Sequence, residues 1–113
     1  MEKTAPLNPT ICATLPLSVY MITLNNARTI ERALKSVSGW ANEVVVVDSH
    51  SSDGALGIIE RYTDNIYQFD TSSQRDKYQY AQDKCKNTWV MFIDADEWLT
   101  DEIKAEIEGL FSS

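Results

Sequence analysis

The sequence predicts an α/β fold, a three-layer sandwich of doubly wound (Rossmann-like) type on a mostly parallel sheet, and three observations carry that prediction. Val44, Val45, Val46 and Val47 run consecutively, which suits a strand covered on both faces and not an exposed alternating one; such strands belong to parallel sheets. Short apolar runs alternate with helically spaced apolar residues in the order β-α-β-α-β-α-β-α. Polar clusters stand directly behind three of those runs, where an open parallel sheet leaves its ligand crevice. With 113 residues the chain has material for one core and no second lobe.

Residues 1–16 hold Pro6, Pro9 and Pro16 with little periodicity and read as an irregular lead-in. Residues 17–23 (LSVYMIT) are a buried first strand that leaves through Asn25 and Asn26. Ile30, Ala33, Leu34 and Val37 lie at i, i+3, i+4 and i+7, a helix that Gly39 is placed to close. Residues 43–48 carry the valine run. A polar turn over 49–54 follows, with Asp53 as N-cap of a helix over 55–62. Residues 65–69 form a weaker strand, and the spacing of Tyr78, Ala81, Gln82 and Cys85 predicts a helix over 73–85. Residues 88–93 are the last strand, expected with 17–23 and 43–48 to make three parallel neighbours. A final helix begins after Thr100, with Asp101 and Glu102 in its first turn and Ile103, Ile107, Leu110 and Phe111 on one face. Trp40, Trp89 and Trp98 read as packing residues.

Ten basic against seventeen acidic side chains give a net charge of −7, a field that repels phosphate backbones and argues against nucleic acid as a partner. From Asp94 onward seven acids face the single Lys104, so the imbalance is concentrated there. No stretch approaches the ~18 to 20 apolar residues of a membrane span, and the early prolines interrupt any signal-peptide core, so a cytoplasmic protein is expected. Cys12 and Cys85 lack metal-ligand spacing and disulfide density and are expected as two reduced thiols.

Three clusters fall at strand ends: Thr23, Leu24 and Asn25; Asp48 and Ser49; Asp94 and Asp96. If strand geometry persists, Asp94 and Asp96 point to one side, where two carboxylates repel unless they share a cation. Hard divalent ions such as Mg²⁺ or Mn²⁺ take one or two such carboxylates and complete their shell with phosphate oxygens and water, so the cluster suits a metal-bound phosphate compound. Asp-x-Asp alone is common in surface turns. Its place behind an apolar strand, with Glu97 and Trp98 following and a second acidic strand end at Asp48, favours a site. Arg75 opens a helix and is the cation expected to face a pyrophosphate, whereas His50, with no second histidine nearby, reads as a surface residue.

The runs LSVYMITLN (17–25), VVDSHSSDG (46–54), Gln74-Arg75-Asp76 and FIDADE (92–97) resemble, in order, the first half of a family 2 glycosyltransferase, most of all the bacterial lipopolysaccharide-core β-glucosyltransferase branch. The resemblance covers about residues 17–111. It implies a GT-A-like fold, truncated, in which residues 17–113 are the nucleotide-sugar-binding part. Thr23, Leu24 and Asn25 would line the nucleotide pocket, Asp48 would take the base, usually uracil, and Arg75 would lie near the diphosphate. Asp94 and Asp96 would hold the ribose and the divalent metal, Mg²⁺ or Mn²⁺, of a UDP-sugar. The implied reaction is an inverting transfer of a hexose to a lipopolysaccharide-core or related glycan or lipid-linked acceptor, by a cytoplasmic enzyme peripheral to the inner membrane.

His50 stands where the family usually has Gly, Asn26 where Glu is frequent and Ala55 where Thr is common, so an altered backbone is expected in the loop after the second strand. Such enzymes run to about twice this length, and the further part supplies the acceptor site and the general base. The catalytic residues are therefore not assigned, the chain alone is expected to be inactive, and a second chain supplying the missing part is one partner to consider. A haloacid-dehalogenase-type phosphatase would carry Asp-x-Asp after its first strand, followed by Thr, and a nucleotidyltransferase would need a Gly-rich basic loop that residues 25–29 lack. The rival from another class is a non-catalytic remnant or nucleotide-binding module with the same fold.

Overall fold

The structure, a computed structural model, describes residues 14–112. Strands β1 (Leu15–Thr23), β2 (Ala41–Asp48), β3 (Ile66–Gln68) and β4 (Trp89–Phe92) form one sheet of order β3-β2-β1-β4. All three pairings are parallel, and the register sets Thr23 opposite Asp48 and Asp48 opposite Gln68. The three expected strands are thus parallel neighbours, with β1 between the other two. Crossovers are made by α1 (Ile30–Val37), α2 (Ala55–Ile59) and α3 (Gln74–Lys84), and α4 (Asp101–Ser112) follows β4.

The valine run is explained by the two cores it serves. Val44 and Val46 join Val19, Met21 and the inner residues of α1 and α2 on one face, while Val45 and Val47 join Tyr20 and Ala81 of α3 on the other. Burying a Val or Leu side chain is worth about 1.5 to 3 kcal/mol, so both faces of β2 contribute. In α1 all four residues picked out by spacing are buried, and Gly39 follows the C-cap Ser38 in the left-handed region, φ 77°, as closure requires.

Several boundaries differ from expectation. β1 starts at Leu15, inside the expected lead-in, because Leu15 N–H is held by the Trp40 carbonyl at 2.9 Å; residues 1–13 of that lead-in, Cys12 included, lie outside the described residues. The helix over 55–62 stops at Ile59 and loosens into turn, and its N-cap is Gly54 (φ 91°), not Asp53. β4 is shorter than residues 88–93, although Ile93 N–H still donates to the Tyr20 carbonyl at 3.2 Å. Trp89 and Trp98 are not core residues: they are 65% and 48% exposed and pack only at the surface, against Phe111 and Arg32. No residue of α4 is fully buried; of its apolar face only Phe111 packs against the α1–α2 core, edge-on to Trp89.

At the entry end of the strands a buried polar cluster fixes β4. Ser18 Oγ donates to Glu43 Oε1 at 2.6 Å, Lys86 N–H donates to the same oxygen at 2.8 Å, and Asn87 donates through Nδ2 to Ser18 Oγ at 3.0 Å. Cys85, a free thiol, is pushed up to about 11 by burial and then by the Glu43 charge.

Candidate functional site

The exit ends of β1 and β2 carry two loops, residues 24–29 and 49–54, that are laced together by side-chain hydrogen bonds. Asn25 N–H donates to Ser51 Oγ at 2.8 Å, Ser52 N–H to Asn25 Oδ1 at 2.8 Å, and Ala27 N–H to Asp53 Oδ2 at 2.9 Å. Asp53 also accepts from Ala55 N–H at 3.1 Å, so it ties α2 to the first loop although it is not the N-cap. Asn26 Oδ1 accepts from Thr23 Oγ1 at 2.7 Å and from Leu24 N–H at 3.1 Å, folding the first loop back on the strand end. Thr23 is buried and Leu24 is exposed beside it.

Asp48 is the centre of this lattice. It is 1% exposed, and its carboxylate accepts from Ser51 N–H at 3.1 Å, from Ser51 Oγ, and from Gln68 Nε2 at 2.8 Å. Gln68 turns its other end to the loop, its Oε1 accepting from His50 N–H at 2.8 Å. His50 has φ 57°, the left-handed conformation that glycine adopts without cost and that His, Asn and Asp tolerate better than most residues. Histidine at the position where the resemblance leads one to expect glycine thus sits in the left-handed region that glycine favours, its N–H held by Gln68. Asn25 is also left-handed, at φ 55°.

The third cluster is a turn, not a strand extension. The expectation that Asp94 and Asp96 share a side by strand alternation fails, because regular β4 geometry ends at Phe92. Glu97 N–H donates to the Asp94 carbonyl at 3.0 Å and Asp94 N–H donates to Glu97 Oε1 at 3.2 Å, closing residues 94–97 on themselves. Burial, the charges of Glu97 and Asp96 and a hydrogen bond with Glu97 hold the Asp94 carboxyl above the ordinary carboxylate range. Thr29 Oγ1 donates to the Ala95 carbonyl at 3.1 Å and docks the turn against the start of α1.

Among the described residues no three His, Cys, Asp or Glu side chains form a metal cage. What the turn offers is hard carboxylate oxygens whose repulsion is already felt at Asp94. That donor set fits an ion such as Mg²⁺ or Mn²⁺ that draws most of its shell from phosphate and water. Arg75 is exposed in the first turn of α3, behind the N-cap Ser73, and no ion pair joins it to Asp48, Asp94 or Asp96. The arginines that do line a pocket with Asp96 are Arg28 and Arg32. Sequence reading passed over these two and Gln68. The i, i+4 spacing of Arg28 and Arg32 behind the first strand was the available signal for the pair; for Gln68, paired across the sheet, no local signal exists.

A family model described as glycosyl transferase family 2 matches residues 18–108. The chain belongs to that family. It is 40% identical over 100 residues to an uncharacterized glycosyltransferase of Rickettsia bellii, covering 88% of this chain and 34% of the relative. It is 31% identical over 104 residues to the lipopolysaccharide core biosynthesis glycosyltransferase LpsC of Rhizobium meliloti, covering 88% and 38%. Among solved structures it superposes on S. aureus TarS 1-349 in complex with UDP with a TM-score of 0.67, at 24% identity, over 85% of this chain and 32% of that one. The mannosyltransferase PcManGT from Pyrobaculum calidifontis, in complex with GDP-Man and Mn²⁺, gives 0.66 at 22% identity, over 87% and 33%. The fold is that of GT-A glycosyltransferases. The chain spans about a third of the length of the curated relatives it matches, a smaller share than the half the resemblance implied. No helix among the described residues is long and apolar enough to cross a membrane.

Proposed function

We propose that residues 17–113 are the donor-binding part of an inverting glycosyltransferase that moves a hexose from a metal-bound UDP-sugar to a lipopolysaccharide-core or related lipid-linked glycan, in the cytoplasm and peripheral to the inner membrane. The observation that carries the reading is the meeting of two cross-bonded loops and a carboxylate turn at the exit ends of adjacent parallel strands. LpsC supports the acceptor class, TarS the uridine nucleotide, and PcManGT the use of a divalent ion.

In this reading Thr23, Leu24 and Asn25 form the floor of the nucleotide pocket. Asp48 turns its one uncommitted lone pair toward the base, and Ser51 and Gln68 hold its carboxylate fixed so that no reorganisation is needed on binding. Asp94 and Asp96 hold Mg²⁺ or Mn²⁺, and Asp94 also meets the ribose. Bound there, the ion supplies charge neutralisation for the departing diphosphate. Arg75 reaches the diphosphate from α3. The general base that takes the acceptor proton is not assigned to this chain.

Calorimetry with UDP tests the reading. Binding is expected with Mn²⁺, lost on chelation, and lost in Asp96→Ala. Metal-independent binding that Asp96→Ala leaves intact would refute the site, and no heat at millimolar UDP in either condition would favour the remnant. Incubation of the chain with UDP-sugars and core acceptors is expected to give no product above blank, and turnover would locate a base within these residues.

A further inference from the structure

Arg28 and Arg32 lie four residues apart, which brings them to one side of the start of α1. The Arg32 guanidinium carbon stands 4.2 Å from the centroid of the Trp98 ring. Together with Thr29 and Asp96 these residues line a pocket of about 90 Å³, some three water volumes, which is the scale of a phosphate or carboxylate group. Among the described residues neither arginine forms an ion pair, with Asp96 or with any other acid. Glu31, the nearest acid in sequence, is already taken by Tyr62 at 2.6 Å and by Arg61. Two positive charges thus line one pocket with a single carboxylate, with no ion pair to it among the described residues, in a chain of net charge −7. Were the arginines there only to neutralise Asp96, an ion pair with it would be expected.

A guanidinium held over an indole face keeps edge N–H donors available, and this is how arginine grips a carboxylate or phosphate in preference to lysine. The hydrogen bond from Thr29 to the Ala95 carbonyl couples this pocket to the carboxylate turn. We propose that Arg28 and Arg32, supported by Trp98, form an anion-binding pocket beside Asp96 that takes a phosphate or carboxylate group of the bound substrates. Its place among the substrates rests on the donor-site reading; its anion chemistry does not. The group comes either from the donor diphosphate or from an acidic substituent on the acceptor.

The chain, labelled with ¹⁵N, is titrated with inorganic phosphate while the Trp98 indole N–H signal is followed, assigned by Trp98→Phe. Phosphate is expected to shift that signal, chloride at equal ionic strength is not, and Arg28→Gln/Arg32→Gln is expected to weaken the response at least tenfold. Both arginines are exposed, so far-UV circular dichroism should show the double variant folded; Arg28→Lys/Arg32→Lys keeps the charge and is expected to bind phosphate more weakly than the parent. UDP with Mn²⁺ then separates the sources. Loss of UDP affinity in the Gln double variant assigns the donor diphosphate, and unchanged UDP affinity with a lost phosphate response assigns an acidic acceptor. Phosphate binding without any UDP binding would sink the donor-site reading and leave the pocket standing. A Trp98 signal that ignores phosphate, or that responds equally in the Gln double variant or to chloride, overturns the proposal.

Discussion

Asp48 separates what the site needs for shape from what it needs for recognition. Replacing it with Ala deletes the acceptor for Ser51 N–H, Ser51 Oγ and Gln68 Nε2 from a position that is 1% exposed. Hydrogen bonds to a charged group contribute about 1.5 to 3 kcal/mol each, and Ser51 and Gln68 are only part-buried and can turn toward water, so a loss of about 3 to 4 kcal/mol is expected. Asp48→Asn keeps one oxygen where Ser51 N–H and Gln68 Nε2 both donate, and sets the new amide against Ser51 Oγ, which can rotate to accept; the loss should be about 1 kcal/mol. Urea denaturation followed by circular dichroism reads the difference, about 2 to 3 kcal/mol, as a change in midpoint at constant slope. Both variants lose the lone pair offered to the base, a further ~1 to 3 kcal/mol in UDP affinity, or about 5- to 150-fold. Equal stabilities for the two variants would refute the argument, because the carboxylate would then not be what holds the loops. A stable Asn variant with unchanged UDP affinity would free Asp48 from the base while leaving its structural part intact.

Two further outcomes follow from local chemistry. Cys85, raised from 9 to about 11, should alkylate at pH 8 about 100-fold more slowly than an unperturbed thiol, with the rate climbing about tenfold per pH unit up to pH 10, as thiolate forms; peptide mass mapping separates it from Cys12, and fast labelling at pH 8 would show the Ser18–Glu43 end of the sheet to be open. Ser73→Ala removes the side-chain cap that accepts from Asp76 N–H at 3.2 Å and should destabilise the chain by about 1 kcal/mol in urea, with no change in UDP affinity; a loss of affinity would mean that α3 positions Arg75 through its first turn.

The sheet and the faces of α1 were legible because they depend on periodicity: four valines on two covered faces and Ile30, Ala33, Leu34, Val37 on one helical stripe leave little freedom. The strand-end clusters were legible because parallel sheets put their loops on one edge. What stayed hidden depends on partners distant in sequence. Gln68 meets Asp48 and His50 only after β3 has paired with β2, and the Arg32–Trp98 stack spans 66 positions. The geometry of Asp94 and Asp96 was misjudged for a local reason, since a glutamate three residues on offers its side chain to Asp94 N–H and turns the chain one residue after the strand ends.

The two sides of the site rest on unequal supports, and this shapes how a ligand would assemble it. β1 and β2 sit in the middle of the sheet with most side chains buried, and their loops hold two left-handed non-glycine residues, Asn25 and His50, each costing on the order of 1 kcal/mol and each fixed by a hydrogen bond from its own N–H. β4 is bonded along one edge to β1, with Trp89 and Val90 exposed, and the helix behind it has no fully buried residue. The base-facing side is held by cross-bonded loops, while the carboxylate turn is anchored by the buried Ile93 and Ala95 in the α1–α2 core, by Thr29, by the Ile93–Tyr20 bond and by its own internal bonds. Base selectivity should therefore be set by the cross-bonded loops, and metal dependence by the turn, whose neighbouring carboxylates repel one another until a cation lies between them.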